Sequence, residues 1–169
     1  MAQNIMSEIG IVGGGLTGVM MAVTLSYCSD SVTLLTQAPP KPKTRHDDNR
    51  TTTINAAGKV MLEILGVWSK LPKAPNPVTR IMVAQGPIQT EHLAHHQREF
   101  SLSWQDAGHP MAYVVDNAAL LEALCDTLVT RPVTVIHPAK VTGFELAAGK
   151  ARLNCASINV PDFDLVIAC

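Results

Sequence analysis

The stretch IGIVGGGLTG near the start of the chain constrains the fold more than any other part of the sequence. It contains the pattern G-x-G-x-x-G as Gly13, Gly15 and Gly18. The short apolar run from Glu8 to Val12 before it predicts a strand, and the apolar run from Leu16 to Cys28 after it is long enough for a helix. Glycines spaced in this way between a strand and a helix are typical of a dinucleotide-binding turn.

Each glycine of this turn has a separate predicted role. Gly13 permits the tight turn, Gly15 leaves no side chain between the backbone and a pyrophosphate, and Gly18 lets the helix pack close to the strand. The free N–H groups at the start of the helix, at Leu16 and Thr17, would then face the phosphates. A tight turn that binds no ligand is the alternative interpretation.

The order of the predicted elements indicates an α/β fold. Ser31 to Leu35 is a second buried strand, so the chain begins as a βαβ unit, which predicts parallel pairing and a right-handed crossover. Helices are predicted from Asn55 to Leu65, ended by Gly66, and from Asn117 to Thr130. We therefore expect a Rossmann-like βαβ domain with additional strands.

The additional strands are predicted in the middle and at the end of the chain, and a linker is predicted from Leu71 to Pro77. The predicted strands are Arg80 to Ala84, Glu99 to Trp104, Ala112 to Val115, VTVIH, KVTGFEL, KARLNC with a turn at Ala148 and Gly149 before it, and FDLVIA.

Composition narrows the class of protein. The chain has 169 residues, which suits one domain, and its net charge of −1 does not favour nucleic acid as a partner. The four cysteines form no CxxC pair, which indicates a reducing cytosol. The uncharged stretch from Ile9 to Tyr27 is interrupted by glycines and is better explained as a strand, a turn and a helix than as a membrane span.

Thr36 occupies the position, at the end of the second strand, where a carboxylate usually holds the adenosine ribose. A hydrogen bond to a charged group contributes more than a neutral one, so threonine is expected to weaken the site without abolishing it. Lys41, Lys43 and Arg45 follow and leave a second interpretation open, in which they bind the 2′-phosphate of NADP.

The histidines of EHLAHHQ are the one candidate metal cluster, formed by His92, His95 and His96. No acidic ligand accompanies them at a coherent spacing, so we expect a solvated loop there and no metal site.

Two further stretches, joined to GGGLTG, carry a family resemblance: DDNRTTTINAAGKVMLEILGVW, from Asp47 to Trp68, and AYVVDNAALLEAL. Together they resemble the N-terminal part of the FAD-dependent aromatic hydroxylases of ubiquinone biosynthesis, the 2-polyprenyl-6-methoxyphenol hydroxylase group. The resemblance implies FAD as cofactor, NADH or NADPH as electron donor, and O₂ and a polyprenylated phenol as substrates. It implies no catalytic side chain within this segment, because the cofactor carries the chemistry.

The resemblance also assigns roles to three more residues. It places Arg50 beside the ribityl phosphate of the flavin, a role that suits its donor fork, while an exposed pair with a neighbouring aspartate is the alternative. It places Asn117 near the flavin, with a helix cap as the alternative. It places the backbone of Val141 beside the adenine.

The stretch DLVIAC at the end of the sequence resembles a strand that in this family leads into an Asp-Gly pair, with a Gly-Asp stretch far downstream. Neither is present, so we expect residues 1–169 to be the N-terminal, FAD-binding part of a truncated fold, inactive alone. Residues from about 80 to 115 would belong to the substrate layer. The alternative is a nucleotide-binding module, for FAD, ADP or NADP, that catalyses nothing.

The implied substrate also suggests a location and partners. We expect a cytoplasmic protein that associates peripherally with the inner face of the membrane through the prenyl tail of its substrate. Self-association, or binding to other proteins of ubiquinone biosynthesis, is a further expectation.

Overall fold

The computed structural model describes residues 8–40, 48–84, 99–103, 108–156 and 158–169. Within these ranges the helices are α1 (Leu16–Leu25), α2 (Ala56–Ile64) and α3 (Asn117–Leu128), with a 3₁₀ turn at Trp68–Lys70. The strands are β1 (Ile9–Val12), β2 (Val32–Leu35), β3 (Thr51–Asn55), β4 (Asn76–Val78), β5 (Arg80–Ala84), β6 (Glu99–Ser103), β7 (Ala112–Asp116), β8 (Val133–Ile136), β9 (Val141–Ala147), β10 (Lys150–Cys155) and β11 (Leu165–Ala168).

A parallel sheet forms the centre of the described structure, with strand order β11, β1, β2, β8. β1 pairs in parallel with β2 and with β11, and β2 pairs in parallel with β8. The predicted βαβ beginning and the α/β fold are therefore confirmed. Helix α1 packs against this sheet and α3 packs against α1, and the apolar side chains of both helices share one core cluster with those of β1 and β2.

A smaller antiparallel sheet has the order β3, β7, β4. β3 was missed by the sequence analysis because TTTIN has no apolar alternation, and only its pairing with β7 makes it a strand. The predicted linker from Leu71 to Pro77 was wrong at its end, since Asn76 and Pro77 belong to β4. β4 lies at the edge of the sheet, where proline is tolerated.

β11 is fixed to the sheet by Phe163, whose side chain is 1% exposed. The ring lies directly on Gly10, where an added Cβ would be 2.9 Å from it. The two acids that flank the ring bind separate partners: Asp162 binds Arg152, and Asp164 accepts a hydrogen bond of 2.8 Å from the backbone N–H of Glu8. A second core cluster forms around Phe163 and contains Leu35, Ala139 and Leu153.

The predicted turns are confirmed, and one predicted cap is wrong. Gly66 ends α2 with a φ of 70°, and Ala148 and Gly149, both with positive φ, form the two-residue turn between β9 and β10. Asn117 does not cap α3: the N-cap residue is Asp116, which makes no side-chain capping bond. Among the described residues, no helix has the length and apolar character needed to cross a membrane.

Candidate functional site at the glycine turn

The glycine turn lies at the carboxyl edge of the parallel sheet. It follows Val12, which pairs with Leu35 of β2 and Ala168 of β11, so these three strands end side by side. In open parallel sheets, ligands bind outside the carboxyl ends of the strands, where neighbouring connections leave in different directions. The turn therefore occupies the position in the fold where a nucleotide site is expected.

Gly13 and Gly18 are required by the fold itself. Gly13 has a φ of 123°, which favours glycine, and an added side chain would overlap the carbonyl oxygen of Cys169. A side chain at Gly18 would overlap the carbonyl oxygen of Gly13. The absence of both side chains lets α1 begin directly against the end of β1.

Gly15 is different, because an added Cβ there would meet nothing within 4 Å. It is the exposed N-cap residue of α1, with an ordinary φ of −78° and no side-chain capping bond. The first N–H groups of α1, including those of Leu16 and Thr17, have no acceptor within the helix. The turn thus offers backbone donors and the positive end of a helix dipole on a side that protein atoms leave open.

Thr36 directly follows β2 and lies under the turn. Its side chain is buried, with 6% of the residue exposed, and its hydroxyl donates a hydrogen bond of 2.7 Å to the carbonyl of Ala38. A side chain at Gly14 would overlap this hydroxyl. The structure therefore places Thr36 beside the turn, with its donor used within the chain. Lys41, Lys43 and Arg45 lie outside the described residues.

Arg50 and Asn117 are brought together by the pairing of β3 with β7. The backbone N–H of Asn117 donates to the carbonyl of Arg50 at 3.0 Å. The amide oxygen of Asn117 accepts a hydrogen bond of 2.5 Å from the hydroxyl of Thr52. Arg50 forms a two-bond pair with Asp48, as in the alternative interpretation, while its side chain remains 72% exposed.

The charge of Arg50 is secured by this pair. The hydrogen bonds and the negative charge of Asp48 raise the pKa of the guanidinium above its ordinary value. The side chain is therefore cationic at neutral pH, which suits a phosphate ligand.

Val141 begins β9 and is half-buried against the second core cluster. The connection that precedes it is tied to the end of β2, because the N–H of Ala139 donates to the carbonyl of Thr36 at 2.8 Å. This bond holds the start of β9 near the carboxyl edge of the sheet, on the same side as the turn.

Gly14 and Ala139 also shape the site and were not predicted from the sequence, whereas Asp48 was predicted only as a possible surface partner of Arg50. Gly14 gives room for Thr36, and the run of three consecutive glycines was the available signal. Asp48 was visible as an acid two residues before an arginine. Ala139 contacts the site through its backbone and left no signal in the sequence.

A cavity of about 370 Å³ lies beside this region. Its lining includes Thr51, Lys73, Asn76 and Asp116, from β3, β4 and β7 and the segment before β4. It adjoins Arg50 through the chain neighbour Thr51. Within the described parts of the chain there is no group of three or more histidine, cysteine or acidic side chains that could hold a metal. His92, His95 and His96 lie outside them.

No protein-family model matches the chain. Its fold is shared with several solved proteins. FqzB aligns with a TM-score of 0.72 at 16% identity, over 96% of this chain and 36% of that protein. The tetrameric 2-methyl-3-hydroxypyridine-5-carboxylic acid oxygenase aligns with a TM-score of 0.64 at 15% identity, over 96% and 39%. CtdE, solved in complex with FAD, aligns with a TM-score of 0.56 at 15% identity, over 96% and 37%. The chain therefore shares its fold with these three proteins, of which one is named as an oxygenase and another was solved with FAD.

Two curated relatives are similar to this chain over most of its length. The 3-demethoxyubiquinol 3-hydroxylase of Escherichia coli (strain K12) is 30% identical over 129 residues, covering 75% of this chain and 31% of the relative. Ubiquinone hydroxylase UbiL of Rhodospirillum rubrum is 30% identical over 138 residues, covering 80% and 30%. The predicted resemblance to the ubiquinone hydroxylases is confirmed. The chain spans about a third of the length of these relatives.

Proposed function

We propose that this chain binds the diphosphate of FAD at the glycine turn and is the FAD-binding part of a flavin-dependent monooxygenase. The observation that carries the proposal is the open space at Gly15, next to two glycines whose surroundings are filled by protein. Neighbouring protein atoms do not require glycine at position 15, and its open side lies next to the free N–H groups at the start of α1.

The residues present suit FAD. The backbone N–H groups of Gly15, Leu16 and Thr17 would hold the diphosphate, because they are donors at the positive end of α1. Thr36 would face the ribose from the end of β2, and the backbone of Val141 would meet the adenine. Arg50 would contact the ribityl phosphate part of the cofactor, and Asn117, joined to it through β3 and β7, would lie near the flavin.

The proposed reaction is the hydroxylation of a phenol. When bound, FAD would pass two electrons from NADH or NADPH to O₂, so that one oxygen atom enters the ring and the other leaves as water. The protein supplies binding, orientation and exclusion of water. The described residues of this chain serve the first two roles.

The names of the relatives support a polyprenylated phenol of ubiquinone biosynthesis as the substrate of the whole enzyme. We assign β5, β6 and β7, within residues 80–115, to the layer that would face this substrate. A prenyl tail would bring the enzyme from the cytoplasm to the inner face of the membrane. A second copy, or other proteins of ubiquinone biosynthesis, would be its protein partners there.

A second candidate function is suggested by the open start of α1, which would bind the diphosphate of ADP as readily as that of FAD. In that case the chain would hold only the ADP side of a dinucleotide. It would then act as a nucleotide-binding module without catalysis. Binding of ADP with the same affinity as FAD would favour this second function.

The test is titration of the purified chain with FAD, followed by flavin fluorescence, together with the substitution Gly15→Ala. We expect the wild-type chain to bind FAD and Gly15→Ala to weaken binding at least about tenfold, because a methyl group would displace the diphosphate from charge-assisted N–H bonds. The thermal stability should change little, since the new methyl group meets nothing within 4 Å.

Gly143→Ala is the matched control, because Gly143 lies on β9 and its added Cβ would make an ordinary contact of 3.6 Å with Asn154. It should bind FAD as the wild type does. A wild-type chain that takes up no FAD, or a Gly15→Ala variant that binds as well as the wild type, would contradict the proposed site.

A further inference from the structure

Asp48 and Arg50 form a pair in which one partner is covered and the other is exposed. The side chain of Asp48 is 10% exposed, whereas that of Arg50 is 72% exposed. The Nε and Nη2 groups of Arg50 donate to the two carboxylate oxygens at 2.8 Å each. The backbone N–H of Arg50 also donates to Oδ1 at 3.1 Å. Asp48 therefore fixes both the backbone and the side chain of Arg50.

The geometry of this pair leaves part of the guanidinium available. A guanidinium has five N–H donors, which form a side fork at Nε and Nη2 and an end fork at Nη1 and Nη2. Asp48 occupies the side fork. Among the described residues nothing else binds the group, so the end fork faces solvent with the spacing that matches two oxygens of a phosphate.

We propose that Asp48 is a positioning residue, which holds Arg50 so that its end fork receives a phosphate oxygen pair of the cofactor. This inference rests on the proposed function, because it takes FAD as the ligand. Arginine has a long side chain, and fixing it on binding reduces affinity. Asp48 fixes it in the free protein, so less freedom remains to be lost when the ligand arrives.

Asp48 also has an effect of the opposite sign, since its negative charge repels a phosphate. That repulsion is weak here, because Arg50 neutralises the carboxylate and water surrounds the exposed end of the pair. Ordering of the arginine is the larger effect. Removing the charge of Asp48 should therefore weaken FAD binding and should not strengthen it.

The experiment is a double-mutant cycle on FAD affinity, with Asp48→Asn, Arg50→Ala and both together. We expect Asp48→Asn to weaken FAD binding roughly three- to tenfold, the range for one side chain that must be ordered on binding. In the Arg50→Ala background the same change should have no effect, because Asp48 acts through Arg50. Arg50→Lys keeps the charge but offers no second fork, and should weaken binding to a similar degree.

Asp162→Asn is the matched control. Asp162 binds the Nε and Nη2 groups of Arg152 on β10 at 3.0 and 2.9 Å, the same arrangement on another element. This variant should bind FAD as the wild type does.

The outcomes separate the two proposals. If the wild-type chain binds no FAD, the proposed function fails and the role of Asp48 fails with it. If the wild-type chain binds FAD while Asp48→Asn binds equally well or more tightly, only the role of Asp48 is wrong. The proposed role of Asp48 is also wrong if Asp48→Asn weakens FAD binding equally in the wild-type and Arg50→Ala backgrounds. Asp48 would then act on the fold and not through Arg50.

Discussion

Gly13, Gly15 and Gly18 lie within six residues of one another but have different surroundings. The backbone of Cys169 fills the space beside Gly13, and the backbone of Gly13 fills the space beside Gly18. Gly15 faces open space. At the scale of single residues, the fold therefore needs two of these glycines, and the proposed ligand needs the third.

Thr36 gives a prediction at the same scale. Thr36→Glu should raise the affinity for FAD about tenfold, because a carboxylate would accept hydrogen bonds from the ribose hydroxyls and a charged acceptor contributes roughly 1.5–3 kcal/mol. Affinity is measured by titration of the purified variant with FAD. The change also removes the hydrogen bond from Thr36 to Ala38 and puts a carboxylate at a position that is 6% exposed, so thermal stability should fall.

Thr36→Gln is the control for this substitution, since it has the length of glutamate without its charge. It should gain less affinity than Thr36→Glu does. Equal or weaker binding by Thr36→Glu than by the wild-type chain would show that this position does not face the ribose.

At the scale of elements, β11 depends on the residues just before it. Phe163 fixes the strand to Gly10, Asp162 binds Arg152 on β10, and Asp164 binds the start of β1. A hydrogen bond from the backbone of Glu8 lowers the pKa of Asp164, and a hydrogen bond from Arg152 lowers the pKa of Asp162. Each acid therefore stabilises the folded chain in its ionised form.

The pH dependence of stability should report this attachment. Folding lowers the pKa of Asp164 below its unfolded value of 3.8. The carboxylate therefore stabilises the folded chain above pH 3.8, and this stabilisation is lost as the pH falls through the lower pKa of the folded state. We expect Asp164→Asn to be less stable than the wild type at pH 7, with a difference that narrows as the pH falls below about 4. Urea unfolding at several pH values measures the difference.

Asp30→Asn, a change at an exposed aspartate between α1 and β2, is the control for this series. A difference between Asp164→Asn and the wild type that stays constant from pH 7 to pH 3 would show that the ionised carboxylate of Asp164 adds no stability to the fold.

Elements with a local signal were predicted well from the sequence. The strand, turn and helix around the glycines, the end of α2 at Gly66 and the turn at Ala148 and Gly149 all depend on backbone conformations that the local residues favour. β3 pairs with β7, which lies roughly 60 residues further along the chain, and local sequence patterns do not show such a partner. β4 lies in a proline-rich stretch, which is not typical of a strand.

The candidate site likewise has some features that the local sequence predicts and others that only the three-dimensional structure shows. The glycine turn was visible as a spacing. The adjacency of Arg50 and Asn117 comes from the register of β3 on β7, and the burial of Thr36 comes from its contact with Gly14, so both required the three-dimensional structure. The predicted helix cap at Asn117 was wrong because the helix begins there and the amide binds Thr52.

At the scale of the whole molecule, apolar side chains are exposed on one face of the β9–β10 hairpin and on β11. Phe144 is 68% exposed, Leu146 is 77% exposed and Leu165 is 48% exposed. They line a groove of about 310 Å³. A contiguous apolar surface of this kind favours association.

We expect the isolated chain to self-associate through this surface. The double substitution Phe144→Thr and Leu146→Thr should reduce the associated fraction, because threonine suits a strand and lacks the apolar area. Sedimentation velocity at several concentrations measures that fraction. Thermal unfolding should change little, since both side chains are mostly exposed.

Val129→Thr is the control for this pair, a change at one apolar residue that is 83% exposed at the end of α3. It should leave the associated fraction unchanged. An unchanged fraction in the double variant would place the association elsewhere on the chain.

The open space beside Gly15 affects which residues evolution can accept at that position. Selection for folding alone tolerates alanine or serine there, while it rejects them at Gly13 and Gly18. In related proteins that no longer bind a nucleotide, the residue at position 15 would vary, while Gly13 and Gly18 would be kept. We therefore expect related chains that bind a dinucleotide to keep glycine at position 15, and related chains that bind none to vary there.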